Sequence, residues 1–210
     1  MPRSSSSAAP QSAAIERLAA IGCAGLLLFY GLFLHVMKSR SYGIQLQFRD
    51  RQIAALAQRP YTPGTTVKLC SRGAGSDRVL MLRGWSAPEQ WGTWTEGPRA
   101  DLMVHLVSAP RRDLELTARV HPFTDGRRPQ EAVVAVNGER VADWMFPDRT
   151  VTERRAAIAA RVAARRQTMT ITFEIVHPTA PSSIGWSPDD RLLGIGLEEM
   201  RIDVKGGARN

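Results

Sequence analysis

Two different patterns of hydrophobic residues divide the chain. From Leu18 to Met37 the residues carry no formal charge, and His35 is the single polar interruption. From about Val67 onwards, short segments instead alternate apolar and polar residues. A helix rises about 1.5 Å per residue, so the first segment spans about 30 Å, the thickness of a bilayer's hydrocarbon core. Because an alternation of period two is typical of strands with one buried face, the pattern predicts a membrane helix followed by an all-β domain.

The residues around the apolar run favour an uncleaved signal anchor. A cleaved signal peptide needs a small-residue site after its apolar region, and the sequence that follows here, HVMKSRSYG, is a poor match. A lipoprotein signal places its cysteine after the apolar run, whereas Cys23 precedes most of it. We therefore expect a single-pass protein of the bacterial inner membrane, with the lipid bilayer as its first partner.

The charges that flank this helix leave its orientation open. Two arginines precede the helix, and four basic residues follow it, namely Lys38, Arg40, Arg49 and Arg51. A literal positive-inside count puts the large domain in the cytoplasm, but long domains translocate largely regardless of charge. Cys70 is the only cysteine beyond the apolar run, so no disulfide within the domain marks the compartment. The domain is expected on the periplasmic side.

Eight short segments carry the signature of strands bounded by turn residues. They lie at residues 67–70, 79–82, 101–107, 113–120, 131–136, 139–146, 168–176 and 193–204. The pair Asn137-Gly138, between two of these segments, is the strongest short signal for a hairpin. Many short strands separated by turns predict an all-β fold, an antiparallel β-sandwich of jelly-roll-like type, behind a single N-terminal transmembrane helix.

One segment fits either a helix or a strand. Residues 151–166 are rich in alanine and arginine, so local propensity favours a short amphipathic helix. The all-β surroundings favour a strand from Thr150 to Ile158 followed by a turn. The strand is the preferred prediction, because tertiary packing overrides a weak local preference.

The predicted organisation has five parts. They are a disordered tail at 1–14, the transmembrane helix at 15–38, a juxtamembrane linker at 39–61, the β-sandwich domain at 62–205 and a flexible tail at 206–210. Within the linker, residues Gln45 to Gln58 can continue as a short helix before Pro60 and Pro63 stop it.

The net charge of +8 comes mainly from the N-terminal part. Residues 1–60 hold 7 basic and 2 acidic residues, whereas residues 61–210 hold 21 and 18. Of the 28 basic residues 25 are arginine, a bias that GC-rich coding produces without any binding surface. Since nucleic-acid-binding proteins need a basic stripe on the folded domain, the nearly balanced domain argues against a nucleic-acid partner.

The most distinctive motif is GWSAPEQWGTWTEG at residues 84–97, and its opening recurs as GWSPDDR at residues 185–191. Exposed indole faces stack on the apolar faces of sugar rings, while carboxylates and guanidinium groups bind the hydroxyls. The candidate carbohydrate-binding residues are Trp85, Glu89, Trp91, Trp94, Trp186, Asp190 and Arg191. In the alternative interpretation the tryptophans belong to the core, and Glu89 with Arg191 forms a structural ion pair between loops.

Few patterns in the chain suggest catalysis. No histidine or cysteine spacing is typical of a metal site, and there is no G-x-S-x-G elbow and no phosphate-binding loop. Glu198 and Glu199 are neighbours in a predicted strand, so they point to opposite faces and do not form a glycosidase pair. We therefore predict no catalytic residues, no metal and no cofactor.

Four motifs, in order along the chain, resemble those of a known type of domain. GWSAPEQWGTWTEG resembles the pattern W-x-x-P-E-x-W-G-x-W, and SPDDRLLGIGLEEMRI at 187–202 resembles a closing strand with D-x-R-x-L-G. Between them, EAVVAVNGERVADWMF resembles its hairpin and ITFEIVHPTAPSSIG its proline-rich segment, although Ala180-Pro181-Ser182 departs from the usual Ser-Pro. The chain thus resembles the uncharacterised β-sandwich accessory domain attached to bacterial glycosyltransferases and other cell-surface glycan assembly proteins. The resemblance implies a jelly-roll-like sandwich and a glycan context, without catalytic residues.

Three functions fit these observations. The first, which we expect, is a membrane-anchored, non-catalytic accessory protein of bacterial exopolysaccharide or envelope-glycan synthesis or export that binds glycan or a membrane glycosyltransferase or synthase. The second is a purely structural assembly subunit of a membrane complex that binds no sugar. The third, a glycan hydrolase or lyase, requires carboxylates that converge in a cleft.

Overall fold

The computed structural model describes residues 26–35, 38 and 50–206. The chain divides into two compact units, Met1–Arg51 and Gln52–Asn210. In the first unit, residues 26–35 form a helix with exposed, mostly apolar side chains. Among the described residues, none of the helices has both the length and the apolar character needed to cross a bilayer.

Several predicted segments lie outside this description. The tail predicted at 1–14 lies wholly outside the described residues, and the transmembrane helix predicted at 15–38 lies partly outside them. Of the predicted juxtamembrane helix, only residues from 50 onwards are described. Residues 50–57 are helical, and this helix ends before Pro60, as predicted.

In the second unit, the described residues form two antiparallel five-stranded sheets. The ten strands are β1 (Thr66–Lys68), β2 (Val79–Arg83), β3 (Thr93–Glu96), β4 (Arg99–His105), β5 (Leu114–Pro122), β6 (Gln130–Val136), β7 (Glu139–Phe146), β8 (Thr152–Ile158), β9 (Thr168–Ile175) and β10 (Leu193–Val204). Short helical turns lie at Ser76–Arg78, Ala160–Ala163 and Pro181–Ile184. The prediction of an all-β antiparallel sandwich is confirmed.

The last strand organises one of the two sheets. Sheet 1 has the order β1-β10-β5-β8, and β3 also pairs with β10. Because β5 pairs with β10 from Ile195 to Val204, β1 and β3 share the opposite edge of β10, with β3 at its start and β1 further along. Sheet 2 has the order β2-β4-β9-β6-β7.

The core lies between the sheets and is built from the alternating apolar positions. On β5 every second residue is buried, and the polar residues between them face outwards. In the predicted segments 101–107, 113–120 and 168–176, the alternating apolar positions are buried, namely Leu102, Val104, Leu106, Leu114, Leu116, Ala118, Val120, Met169, Ile171, Phe173 and Ile175. The strand pattern read from the sequence is therefore confirmed.

The structure contains the predicted hairpin and decides between the helix and the strand predicted for residues 151–166. Asn137 and Gly138 connect β6 to β7 with φ angles of 50° and 82°, the two left-handed residues that a type I′ turn requires. Residues 152–158 form strand β8 as preferred, and only Ala160–Ala163 are helical. The strand prevails over alanine's helical propensity because Ala156 and Ile158 are buried against the core.

Tyr61, placed in the linker by the sequence, is completely buried and connects the two sheets. Its backbone N–H donates to the His105 carbonyl at the end of β4, at 2.6 Å. Its hydroxyl accepts the Ile202 N–H of β10 at 2.8 Å and donates to the Thr65 carbonyl. Burial raises the pKa of Tyr61 to about 12. The globular domain therefore begins before its first strand, at Tyr61 or earlier.

Replacing Tyr61 with phenylalanine should destabilise the domain and change its response to alkali. The variant leaves the buried Ile202 N–H without an acceptor, which costs about 1–3 kcal/mol. In the wild type, burial of the phenol places the folded pKa above the unfolded value of about 10, so the domain should lose stability as pH rises from about 10 to about 12, and the phenylalanine variant should not. Urea unfolding of the full-length chain from pH 7 to 12 measures both effects.

The matched control is Tyr30→Phe, because Tyr30 is 60% exposed. This variant should unfold like the wild type at every pH. If Tyr61→Phe keeps both the stability and the alkaline transition of the wild type, the buried hydroxyl does not have the role assigned to it.

Candidate functional site

The five tryptophans occupy different environments. Trp144 is a core residue, 3% exposed, and its Nε1–H donates to the Arg155 carbonyl. Trp85 packs against the same core, and its Nε1–H donates to the Asp101 carbonyl at 2.8 Å. Trp91 and Trp94 are half-buried, and Trp186 is 58% exposed. The structure thus places Trp85, which the sequence assigned to a sugar site, with the core.

The two G-W-S sequences have opposite outcomes. Gly84 and Gly185 both have left-handed backbones, with φ angles of 72° and 70°. At Gly84 the chain runs against β4, so that a β-carbon would lie 1.9 Å from the Arg99 carbonyl oxygen, and Trp85 is directed to the core. At Gly185 nothing lies within 4 Å of that position, and Trp186 is directed to solvent.

Trp91 and Trp94 lie on the outer face of sheet 1. Trp94 lies on β3 between two completely buried threonines, so its own side chain points outwards. It pairs with Gly196 of β10, where an added β-carbon would be 2.4 Å from Trp91 Cη2 and 3.0 Å from Trp94 Cε3. The two indoles therefore rest on a glycine and meet edge to face, with centroids 5.1 Å apart.

A continuous series of ring contacts runs from Trp91 to Trp186. The His121 ring lies 4.2 Å from the Trp91 ring. Trp94 contacts Phe123 edge to face at 6.1 Å, and Phe123 stacks on Trp186 at 5.2 Å with an interplanar angle of 12°. Phe123 is only 2% exposed, so it forms the buried base of the series. We call these five residues the aromatic cluster.

Arg149 and Phe123 lie against the same face of Trp186. The guanidinium carbon of Arg149 is 4.0 Å from the Trp186 ring centre and 5.1 Å from the Phe123 ring centre. Contacting atoms are about 3.5 Å apart, so groups on opposite faces of the indole would be separated by roughly 7 Å. The shorter observed distance places the guanidinium on the same side of the indole as Phe123. From the 58% exposure of Trp186 we infer that its other face is open to solvent.

The indole N–H groups also differ in their availability. Trp91 Nε1–H donates to Glu89 Oε2 at 2.8 Å, so Trp85, Trp91 and Trp144 all have internal acceptors. Trp94 and Trp186 have no acceptor among the described residues. Among the described residues, the buried side-chain nitrogen or oxygen that lacks a partner is Arg154 Nε. Since Trp94 Nε1 also lacks a partner but is not such a buried atom, its N–H is in contact with solvent. Two indole donors are therefore free for a ligand.

The predicted polar site residues mostly hold the loops together. Arg191 Nη2 lies 2.6 Å from Asp189 Oδ2 and 3.7 Å from Glu89 Oε1. The hydrogen bond from Arg191 lowers the pKa of Asp189. Glu89 and Arg191 thus form the inter-loop ion pair of the alternative interpretation. Asp190 is exposed, and its side chain has no hydrogen-bond or ion-pair partner among the described residues. Its assignment to a sugar site stays a prediction.

A further polar group fixes the edge of the aromatic cluster. Glu198 Oε2 lies 2.9 Å from both His121 Nε2 and Arg119 Nε. The hydrogen bond with His121 is the main cause that lowers the pKa of Glu198. The His121 ring is thereby held in place next to Trp91.

Sequence reasoning missed His121, Phe123 and Arg149. The alternation of β5 signals that His121 faces outwards, but Phe123 and Arg149 lie in loops without a pattern of their own. No group of three or more metal-ligating side chains with metal-site geometry occurs within the described residues.

Comparison with known proteins identifies a sequence family and several similar folds. Residues 63–204 match the domain of unknown function DUF7024. No curated protein matches the chain. Among solved structures, a family 35 carbohydrate-binding module from an environmental isolate has 13% identity and a TM-score of 0.39, with 70% of this chain and 99% of that chain covered.

Two further structures are similar to the same extent. The CBM22-1 xylan-binding domain of Paenibacillus barcinonensis Xyn10C has 13% identity and a TM-score of 0.43, covering 69% of this chain and 95% of its own. Carbohydrate-binding module CBM36, solved with calcium and xylotriose, has 12% identity and a TM-score of 0.37, covering 66% and 99%. At these scores the likeness carries no argument about function.

Proposed function

The chain belongs to the DUF7024 family of domains of unknown function, and we propose that it is a membrane-anchored, non-catalytic accessory protein that binds glycan. Its role would be in bacterial exopolysaccharide or envelope-glycan synthesis or export, with a membrane glycosyltransferase or synthase as partner. The jelly-roll-like sandwich would lie on the periplasmic side. The resemblance of its tryptophan motifs to those of glycan assembly proteins supports this context.

The open face of Trp186 is the observation that carries the proposal. An indole with one face held by Phe123 and Arg149 and the other face in water offers a flat apolar surface. The axial C–H groups of a sugar ring form a matching flat apolar face, so stacking buries apolar surface on both partners. An exposed large aromatic residue supported in this way is typical of a binding site rather than of a core.

The surroundings of Trp186 also suit a polar ligand. The N–H groups of Trp94 and Trp186 have no acceptor among the described residues, and sugar hydroxyls accept such hydrogen bonds. Phe123 is buried and fixes the ring above it. A fixed aromatic side chain binds with less loss of conformational entropy than a mobile one, so the site is organised before the ligand arrives.

The membrane anchor rests on the sequence. The apolar run from Leu18 to Met37 has the length and the absence of charge that a single spanning helix needs. Residues 26–35 of this run are helical and expose apolar side chains such as Leu26 and Phe29, which suits contact with lipid.

Replacing Trp186 with alanine should weaken glycan binding by about tenfold or more, because the stacking surface is lost. The measurement is affinity electrophoresis or a polysaccharide array with the full-length chain in detergent, using neutral and acidic bacterial and plant polysaccharides. The control is Met145→Ala on β7, where a side chain of similar exposure, 59%, lies outside the aromatic cluster. It should bind like the wild type.

Two results would contradict the glycan proposal. One is that no polysaccharide binds the wild type while it still co-purifies with a membrane synthase, which would favour the structural assembly subunit. The other is binding that Trp186→Ala leaves unchanged.

The location is tested separately by a reporter fused to the C-terminus of the full-length chain. A reporter that is active only in the periplasm should give a signal. Activity of a cytoplasmic reporter at the same position would place the domain on the other side of the membrane, in agreement with the literal charge count.

A further inference from the structure

Arg149, in the loop between β7 and β8, is held in one orientation at the covered side of Trp186. Its Nε and Nη2 atoms donate to the Thr124 carbonyl at 3.0 and 2.7 Å. Its guanidinium carbon lies over the Trp186 ring, 4.0 Å from the ring centre, and over the Phe123 ring, 5.1 Å from the ring centre. Two hydrogen bonds and two ring contacts thus fix the plane and the direction of this group.

The charge of Arg149 is not compensated within the described part of the chain. None of the carboxylates there lies within 4.0 Å of its nitrogens. The adjacent Asp148 accepts the Thr150 N–H at 2.8 Å, and Asp125 accepts the backbone N–H groups of Arg127 and Arg128. Arg191, on the same loop as Trp186, is by contrast bound to Asp189. Arg149 therefore lacks the acidic partner that Arg191 has.

The unused part of Arg149 has a defined chemistry. A guanidinium group has five N–H donors, and Thr124 takes one from Nε and one from Nη2. The three that remain are on Nη1 and Nη2, which together form the forked end of the group. Two parallel N–H bonds from such an end match the two oxygens of a carboxylate.

We propose that the glycan is acidic and that the Nη1 and Nη2 end of Arg149 binds a carboxylate of a uronic acid. This inference rests on the proposed function, because it assumes that a sugar stacks on the open face of Trp186. Since Arg149 lies on the opposite, covered side of the indole, the carboxylate belongs to a sugar that adjoins the stacked one, beyond the edge of the ring. The ligand is therefore a polymer or an oligomer, and a single uronic acid is too short to reach both groups.

The test compares polyuronates with their methyl esters, which keep the same sugars and linkages but lose the charge. Polygalacturonate, alginate and hyaluronate, each with its esterified form, serve as probes for the full-length chain. The acidic form of the bound polymer should bind about tenfold or more tightly than its ester. Added salt should weaken binding of the acidic form and leave the ester unaffected, and monomeric galacturonate should not compete.

Arg149→Gln should lower the affinity for the acidic form to that for the ester. Because Arg149 also supports Trp186, the readout is the ratio of the two affinities, which should fall to about one in this variant while the ester still binds. The control is Arg112→Gln, which removes the same charge at a guanidinium that also donates to a backbone carbonyl, that of Lys205 beyond the far end of β10. It should keep the preference for the acidic form.

Three outcomes would overturn the inference. Equal binding of acid and ester by the wild type would do so and leave glycan binding intact, provided that Trp186→Ala still abolishes it. Equal loss of both forms in Arg149→Gln would make Arg149 a support for Trp186 and nothing more. If neither form of any polysaccharide binds, the proposed function itself fails.

Discussion

The aromatic cluster depends on the absence of a side chain at Gly196, because Trp91 and Trp94 occupy the space that a β-carbon would take. Gly196 lies in one row with Trp94 of β3 and His121 of β5, on the outer face of sheet 1. A single added methyl group would collide with both Trp91 and Trp94. These rings in turn fix Phe123 from one side, and Phe123 supports Trp186. The lack of a side chain at Gly196, in the longest strand, therefore affects where the exposed ring of Trp186 lies in a separate loop.

This dependence explains how a β-sandwich presents a rigid surface from loops that have little structure of their own. Each ring packs against the next, so the regular geometry of sheet 1 fixes the positions of the rings in the loops. The charged residues nearby have a related role, since Glu89, Arg191 and Glu198 hold loops and rings to each other through ion pairs and hydrogen bonds. Arg149 differs from them, because its only polar partner in the described structure is a carbonyl oxygen. Rigid aromatic support and one uncompensated cation together define the ligand that the surface would accept.

The fold follows from local rules, whereas the site does not. Period-two alternation and the Asn137-Gly138 turn are local signals, and they predicted one hairpin and eight of the ten strands. They missed β3, inside the tryptophan motif, and β8 was preferred only because of its all-β surroundings. The two G-W-S sequences are identical, and only the close approach of β4 at Gly84 separates a core tryptophan from an exposed one. Phe123 and Arg149 join Trp186 from separate loops, and no spacing in the sequence encodes such a contact. Their roles therefore emerge only once the two sheets are assembled.

The central claim is that a glycan stacks on the open face of Trp186 next to Trp94. The most direct measurement follows the five indole N–H resonances by NMR while the isotope-labelled full-length chain is titrated with the polysaccharide it binds. The Trp94 and Trp186 signals should shift, because their N–H groups have no acceptor among the described residues. Trp85, Trp91 and Trp144 should keep their signals, since each donates within the domain. Shifts confined to these three, with Trp94 and Trp186 unchanged, would show that glycan does not stack on Trp186.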